Sequence, residues 1–202
     1  MLVTCDDNES HRCDPDGLKF HRLKTQERQA MIDEEGRLST VQKGKAVEAL
    51  VSSTLILASE GRLSPYVPVS DDCGIDLLAF DKITHHILPI QIKSRIANPS
   101  RQTVQFNVGK ATLADIPNRF LLGVLLDPES ISMTASWLIP MAKLSEVSTE
   151  KPEMYSVKPS FSADTRDRCR IYRLDTASDL TAAILKAVNR EPAVTADALA
   201  IV

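Results

Sequence analysis

Apolar residues first take up a helical period after Ser39: Val47, Leu50, Val51, Thr54 and Ala58 fall on one face of a helix of about twenty residues. Ser39 followed by Gln42 three residues on has the form of a capping box, and Gly61 supplies a stop. The period then changes. Residues 66–69, 75–80 and 87–93 read as three strands of a meander, separated by Asp71-Asp72-Cys73-Gly74 and by an Asp81-Lys82 turn. Pro89 lacks a ladder donor, so a bulge or a locally unpaired edge is expected in the third strand. Val104, Phe106 and Val108 alternate as a further edge strand, and residues 110–116 leave room for a short helix before Pro117. The unbroken apolar run 120–126 is of buried-strand type, with 136–140 as its partner. Beyond that, 151–165 reads as loop, 169–174 as a possible strand and 178–189 as an amphipathic helix. The expected fold class is therefore α/β, a mixed central sheet flanked by helices.

Composition narrows this picture rather than redirecting it. At 202 residues and 43% hydrophobic the chain can bury a sizeable core, and seven Gly with eleven Pro exclude a collagen-like repeat. The organisation expected is a poorly ordered, acid-rich arm over residues 1–36, a core over 37–145 and a C-terminal extension over 146–202. Net charge is −3, so any nucleic-acid contact must come from a local patch. Cys5, Cys13, Cys73 and Cys169 lack metal or disulfide spacing, and no secretory run opens the chain, a pattern that points to a cytoplasmic protein with free thiols. Cys5, His11 and Cys13 have no second half of a zinc site. No apolar stretch approaches the ~20 residues that span a bilayer, so no membrane partner is expected.

Four polar residues stand where the pattern wants apolar or indifferent ones. Glu48 is next in sequence to core-facing Val47. Asp76 interrupts an apolar strand, and Gln91 and Lys93 alternate with Ile90 and Ile92. Period two puts Gln91 and Lys93 on one face. If the Asp76 and Gln91 segments are neighbours, a carboxylate, an amide oxygen and an ammonium converge, and the first helix can add a second carboxylate. Carboxylate, amide and backbone carbonyl oxygens are hard ligands of the kind magnesium takes, and a lysine can orient a water and offset developing negative charge. Such a set suits in-line attack on a phosphodiester. Taken singly, each residue also has a plain structural use as turn cap, snorkelling stem or cross-strand partner.

The segments Lys43-Gly44-Lys45-Ala46-Val47-Glu48, Asp72-Cys73-Gly74-Ile75-Asp76-Leu77-Leu78-Ala79 and Ile90-Gln91-Ile92-Lys93-Ser94 resemble the PD-(D/E)xK nuclease superfamily, and most of all its small resolvase-like branches. The resemblance spans about residues 40–141, and Trp137-Leu138-Ile139-Pro140 also looks like a segment of some branches. It implies a restriction-endonuclease-like fold and a metal-dependent endonuclease acting on DNA, with Mg2+ or Mn2+ as cofactor. By this resemblance Asp76 takes the metal-binding aspartate, Gln91 the position usually held by Asp or Glu, Lys93 the catalytic lysine and Glu48 the helical glutamate. Gln91 removes a negative charge from the metal site, which leaves open a catalytically inactive DNA-binding or protein-interaction module on the same fold.

Charge distribution bears on the partner. Residues 82–110 carry Lys82, Lys93, Arg95, Arg101 and Lys110, with His85 and His86 and no acid, a strip suited to a phosphate backbone. Lys82, Arg95, Arg101 and Lys110 are thus the candidate nucleic-acid contacts. With few aromatics for base stacking, duplex or branched DNA is the expected partner, and cutting two strands would suit a homodimer. Arg166, Arg168, Arg170 and Arg173 form a second cluster, diluted by Asp164, Asp167 and Asp175 and read as a salt-bridged surface. Asp72 reads as a turn residue, His85 and His86 as exposed turn residues, and Trp137 as core.

Overall fold

The structure is a computed structural model that describes residues 39–190 apart from 71–72, 99, 113–117, 128, 131 and 163. The expected N-terminal arm and its Cys5, His11 and Cys13, and Asp72, lie outside the described residues. The chain divides into two units, Met1–Lys43 and Gly44–Val202. Helix α1 (Thr40–Ala58) opens with the capping box the sequence announced: Ser39 N–H donates to Gln42 Oε1 at 2.8 Å, and Gln42 N–H to Ser39 Oγ at 3.1 Å.

Three antiparallel strands follow, β1 (Leu63–Tyr66), β2 (Leu77–Asp81) and β3 (Ile87–Ile96). Strand β5 (Phe120–Leu126) lies parallel to β3, and β6 (Met133–Pro140) and β9 (Arg173–Leu174) continue antiparallel. Among the described residues this makes a mixed six-stranded sheet in the order β1-β2-β3-β5-β6-β9. A smaller sheet has the order β4-β8-β7, built from β4 (Phe106–Gly109), β7 (Ser148–Glu150) and β8 (Met154–Val157).

Strand periodicity divides the core in two. Ile90, Ile92, Leu122 and Val124 point to one face of the large sheet, where they pack on Val47, Val51 and Leu55 of α1 and on Leu180 and Ile184 of α3 (Ala177–Arg190). Leu121, Leu125, Trp137 and Ile139 point to the other, covered by Phe106 and Val157 of the small sheet and by the short α2 (Leu144–Val147). Trp137 is core, as expected. Gly123 is what lets the two sheets meet: a Cβ there would lie 2.6 Å from Phe106 Cε2.

Several expectations are corrected. The ladder runs through Pro89 without a bulge. The Asp81 N–H donates to the His86 carbonyl at 2.9 Å, so the hydrogen-bonded pairs fall at every second residue and Pro89, opposite Leu78, sits between them. On its other side β5 joins only from Ile90, so Pro89 withholds no donor. Residues 151–165 are not all loop, because β8 begins at Met154 and pairs with both β4 and β7. Residues 169–174 hold a 3-10 turn (Arg170–Tyr172) before the two-residue β9. The helix expected over 110–116 is described only as a 3-10 turn, Lys110–Thr112. No helix among the described residues is long and apolar enough to cross a membrane.

Candidate active site

The large sheet frays at one corner, and the candidate residues gather there. Strand β2 pairs with β3 only from Leu77↔Ile90 onward, while β3 runs on to Ile96. Asp76 stands where the ladder stops. Its N–H donates to the Ile90 carbonyl at 3.0 Å, and its Oδ2 accepts the Ile92 N–H at 2.6 Å. A side-chain carboxylate thus takes the place of the next backbone acceptor. Within a strand of an antiparallel pair a residue turns its N–H and C=O to the same side. The Ile92 carbonyl therefore also points past the end of β2, beside Asp76.

Gln91 lies on the opposite face of β3 from the isoleucines, in register with Leu121, and Lys93 follows it in register with Gly123. Gln91 is 2% exposed, and its Oε1 is buried with no hydrogen-bond partner. An unmatched buried oxygen costs about 1–3 kcal/mol, so its retention calls for a use. The amide lies against Gly74, where a Cβ would fall 3.0 Å from Gln91 Nε2 and 2.9 Å from Thr112 Cβ. Gly74 also has φ 61°, which favours glycine independently of the crowding.

Arg119 fixes this corner from beneath, and sequence reasoning missed it. It is 3% exposed, donates to the Cys73 carbonyl at 2.7 Å and also to the Thr112 carbonyl, so it ties the Cys73-Gly74 turn to the 3-10 turn that follows β4. Burial pulls the guanidinium below its ordinary pKa, opposed by the negative potential of Cys73 and Asp76. The available signal was an arginine placed directly before the apolar run 120–126.

Glu48 is placed differently. It is nearly buried on α1, the helix that covers the isoleucine face, and its carboxylate accepts from Lys45 Nζ at 2.8 Å. The structure thus brings Asp76 against the Gln91-Ile92 backbone, sets Lys93 on the Gln91 face, and gives Glu48 a local ion pair. Among the described residues no group of three or more His, Cys, Asp or Glu could hold a metal ion. The donors that remain, the Asp76 carboxylate, the orphaned Gln91 oxygen and the Ile92 carbonyl, are all hard oxygens and fit a magnesium-type cation.

The basic strip is not continuous. Lys82 is exposed in the β2–β3 turn, at the far end of β2 from Asp76, because β2 runs away from the corner toward that turn. Lys110 is ion-paired to Glu150 and lies 5.4 Å from the Tyr155 ring centroid, and Glu150 first raises its pKa. Arg95 and Arg101 are exposed and, with Lys93, make no ion pair among the described residues. His85 is exposed as expected, but His86 is half-buried, its Nδ1 3.3 Å from the Val188 carbonyl of α3.

No protein-family model matches the chain, and no curated protein does. Among solved structures it is similar to a bacterial homing endonuclease, I-Ssp6803I, at 17% identity and a TM-score of 0.46, over 75% of this chain and 95% of that one. It is also similar to Hjc, a Holliday junction resolvase from the archaeal hyperthermophile Archaeoglobus fulgidus, at 10% identity and a TM-score of 0.37, over 63% of this chain and 96% of that one.

Proposed function

We propose that the protein is a metal-dependent endonuclease that hydrolyses phosphodiester bonds of duplex or branched DNA, in the manner of the PD-(D/E)xK superfamily with a Gln-x-Lys variant. The observation that carries this reading is the buried, partnerless Gln91 oxygen on β3, beside the strand end that Asp76 caps. Asp76, Gln91 and the Ile92 carbonyl would hold Mg2+ or Mn2+, which when bound stabilises charge developing on the phosphoryl oxygens. Lys93, on the Gln91 face and outside any ion pair among the described residues, orients the attacking water and offsets that charge. Glu48 offers a second carboxylate once it exchanges Lys45 for the site. Arg95 and Arg101 supply backbone contacts on the same side of the hairpin; Lys82 and Lys110 contribute less, the one by distance and the other by its pairing with Glu150. A homodimer would cut both strands.

Incubation with supercoiled plasmid and Mg2+ or Mn2+ should give nicked or linear product, and Lys93→Ala should abolish it while the thermal melt stays unchanged. Nicking that persists in Lys93→Ala overturns the assigned mechanism. A second reading, a DNA-binding or protein-interaction module without catalysis, is favoured by the amide at position 91 and by the Lys45–Glu48 pair. Binding in a gel shift with EDTA, without cleavage in either metal, would select it.

A further inference from the structure

The side of β1–β3 opposite the α1 core is covered unevenly. Residues paired across an antiparallel ladder share a face, so the register Tyr66↔Leu78↔Pro89 and Phe80↔Ile87 puts these residues on the side that carries Gln91 and Lys93. At β5 and β6 the small sheet closes that side through Phe106 and Val157. Over β1 and β2 the cover is thinner: Tyr66 is 57% exposed, and Leu78, Phe80 and Ile87 are half-buried.

Only 4% of the chain is aromatic, yet this strip gathers a row of rings. Tyr66 meets Phe80 edge to face with ring centroids 6.3 Å apart, and Phe80 meets the exposed His85 in the same way at 5.9 Å. The row starts beside the candidate metal corner. Asp76 continues the line of β2 through its N–H bond to the Ile90 carbonyl, so Tyr66, opposite Leu78, is its diagonal neighbour at about 7–8 Å. From Asp76 the row follows β2 for about 16 Å to Asp81 and the exposed Lys82 beyond it. The alternate positions of β1, β2 and β3 bring no acid to this face between Tyr66 and the turn, while Lys93 and Arg95 stand past the corner.

Open rings with cations at both ends of their row suit a nucleic-acid strand, because every base has a face that stacks on an aromatic and every nucleotide a phosphate that meets a cation. A duplex keeps its base faces inside its own stack, so only unpaired nucleotides can use the rings. We propose that this face of β1 and β2 binds the single-stranded arm of branched DNA. Its bases stack on Tyr66 and His85, which Phe80 braces from between, and its phosphates meet Lys82 at the turn and Lys93 past the corner. The inference rests on the nuclease reading for what happens at Asp76, and it narrows the substrate from duplex or branched DNA to DNA with an unpaired arm beside the scissile bond.

The test uses the full chain and fluorescence anisotropy in EDTA, with a labelled blunt duplex and the same duplex carrying a single-stranded arm. Wild type is compared with Tyr66→Ala, Tyr66→Phe and His85→Ala. The arm should raise wild-type affinity at least about fivefold, and Tyr66→Ala should remove that gain while leaving blunt-duplex binding unchanged. Tyr66→Phe, which keeps the ring, should bind the arm like wild type, and His85→Ala should lose less than Tyr66→Ala. Tyr66 is exposed at the end of an edge strand, so its variants should melt with wild type. An arm that adds no affinity, or a Tyr66→Ala loss equal on both substrates, overturns the proposal. So does a fall in the mass of the DNA-free protein on Tyr66→Ala in sedimentation, which would make this face a contact between two copies. Because binding is read without metal, failure to nick plasmid in Mg2+ or Mn2+ removes the nuclease reading and leaves a measured preference for the arm intact.

Discussion

Two aspartates bracket β2, Asp76 just before it and Asp81 as its last residue, and their surroundings are opposite. Asp81, at the turn end, is fully buried and saturated: Arg62 grips it through two bonds of 2.9 and 2.6 Å, and the Ile83 N–H adds a third at 3.0 Å. Arg62 first of all, against the opposing pull of burial, holds the Asp81 carboxyl well below the ordinary carboxylate range. Asp76, at the start, spends one oxygen on the Ile92 N–H and borders an amide whose oxygen has no donor at all. The same residue type is a closed brace where three donors converge on its two oxygens, and at the other end it stands beside an amide oxygen that is left over. What differs between the two ends is whether the acceptors gathered there find donors.

The largest effect should come from opening the closed end. Arg62→Ala strands a buried carboxylate and should cost about 3–5 kcal/mol in denaturant unfolding. The folded pKa of Asp81 is depressed, so the stability the pair provides is fully present above the unfolded value near ~4 and is lost as pH falls below it. An acid titration of wild-type stability should therefore decline below that pH, and the decline should flatten in Asp81→Asn. Next comes the open end, where Asp76→Ala removes an acceptor from the Ile92 N–H and should cost about 1–3 kcal/mol. It should also abolish any rise in melting temperature that Mg2+ produces. A drop as large as that of Arg62→Ala would erase the contrast between the two ends. The smallest effect is expected for Gln91→Met, which removes an oxygen with no partner: stability should change by less than about 1 kcal/mol or rise, while metal-induced stabilisation disappears. Gln91→Glu should keep or strengthen metal binding in calorimetry, and loss of binding would remove Gln91 from the ligand set.

What the sequence disclosed follows the range of the interactions involved. The Ser39–Gln42 box, the buried run of β5 and α3 are local patterns, and each was legible to within a few residues. Strands β7 and β8 were not, since they are three and four residues long and carry serine, threonine and glutamate where a pattern search wants apolar residues. The chemistry divides in the same way. Period two placed Gln91 and Lys93 on one face, but whether Asp76 would reach Ile92 depended on where β2 stops. The pairing of Lys110 with Glu150 could not be read at all, because the two are forty positions apart. Arg119 was missed for the same reason, its acceptors being carbonyls that only the folded chain brings together.

The overhang of β3 beyond β2 has one more effect. From Ile92 to Ile96 the outward amides and carbonyls pair with no strand on the β2 side among the described residues, a rim open to an added strand apart from the Ser94 carbonyl, which accepts from Arg95 Nη1 at 2.9 Å. Asp76 plugs the first rung with a carboxylate, while Lys93 and Arg95 bring like charges to any second copy approaching the same rim. The corner proposed to seat a cation thereby doubles as a guard against clumping.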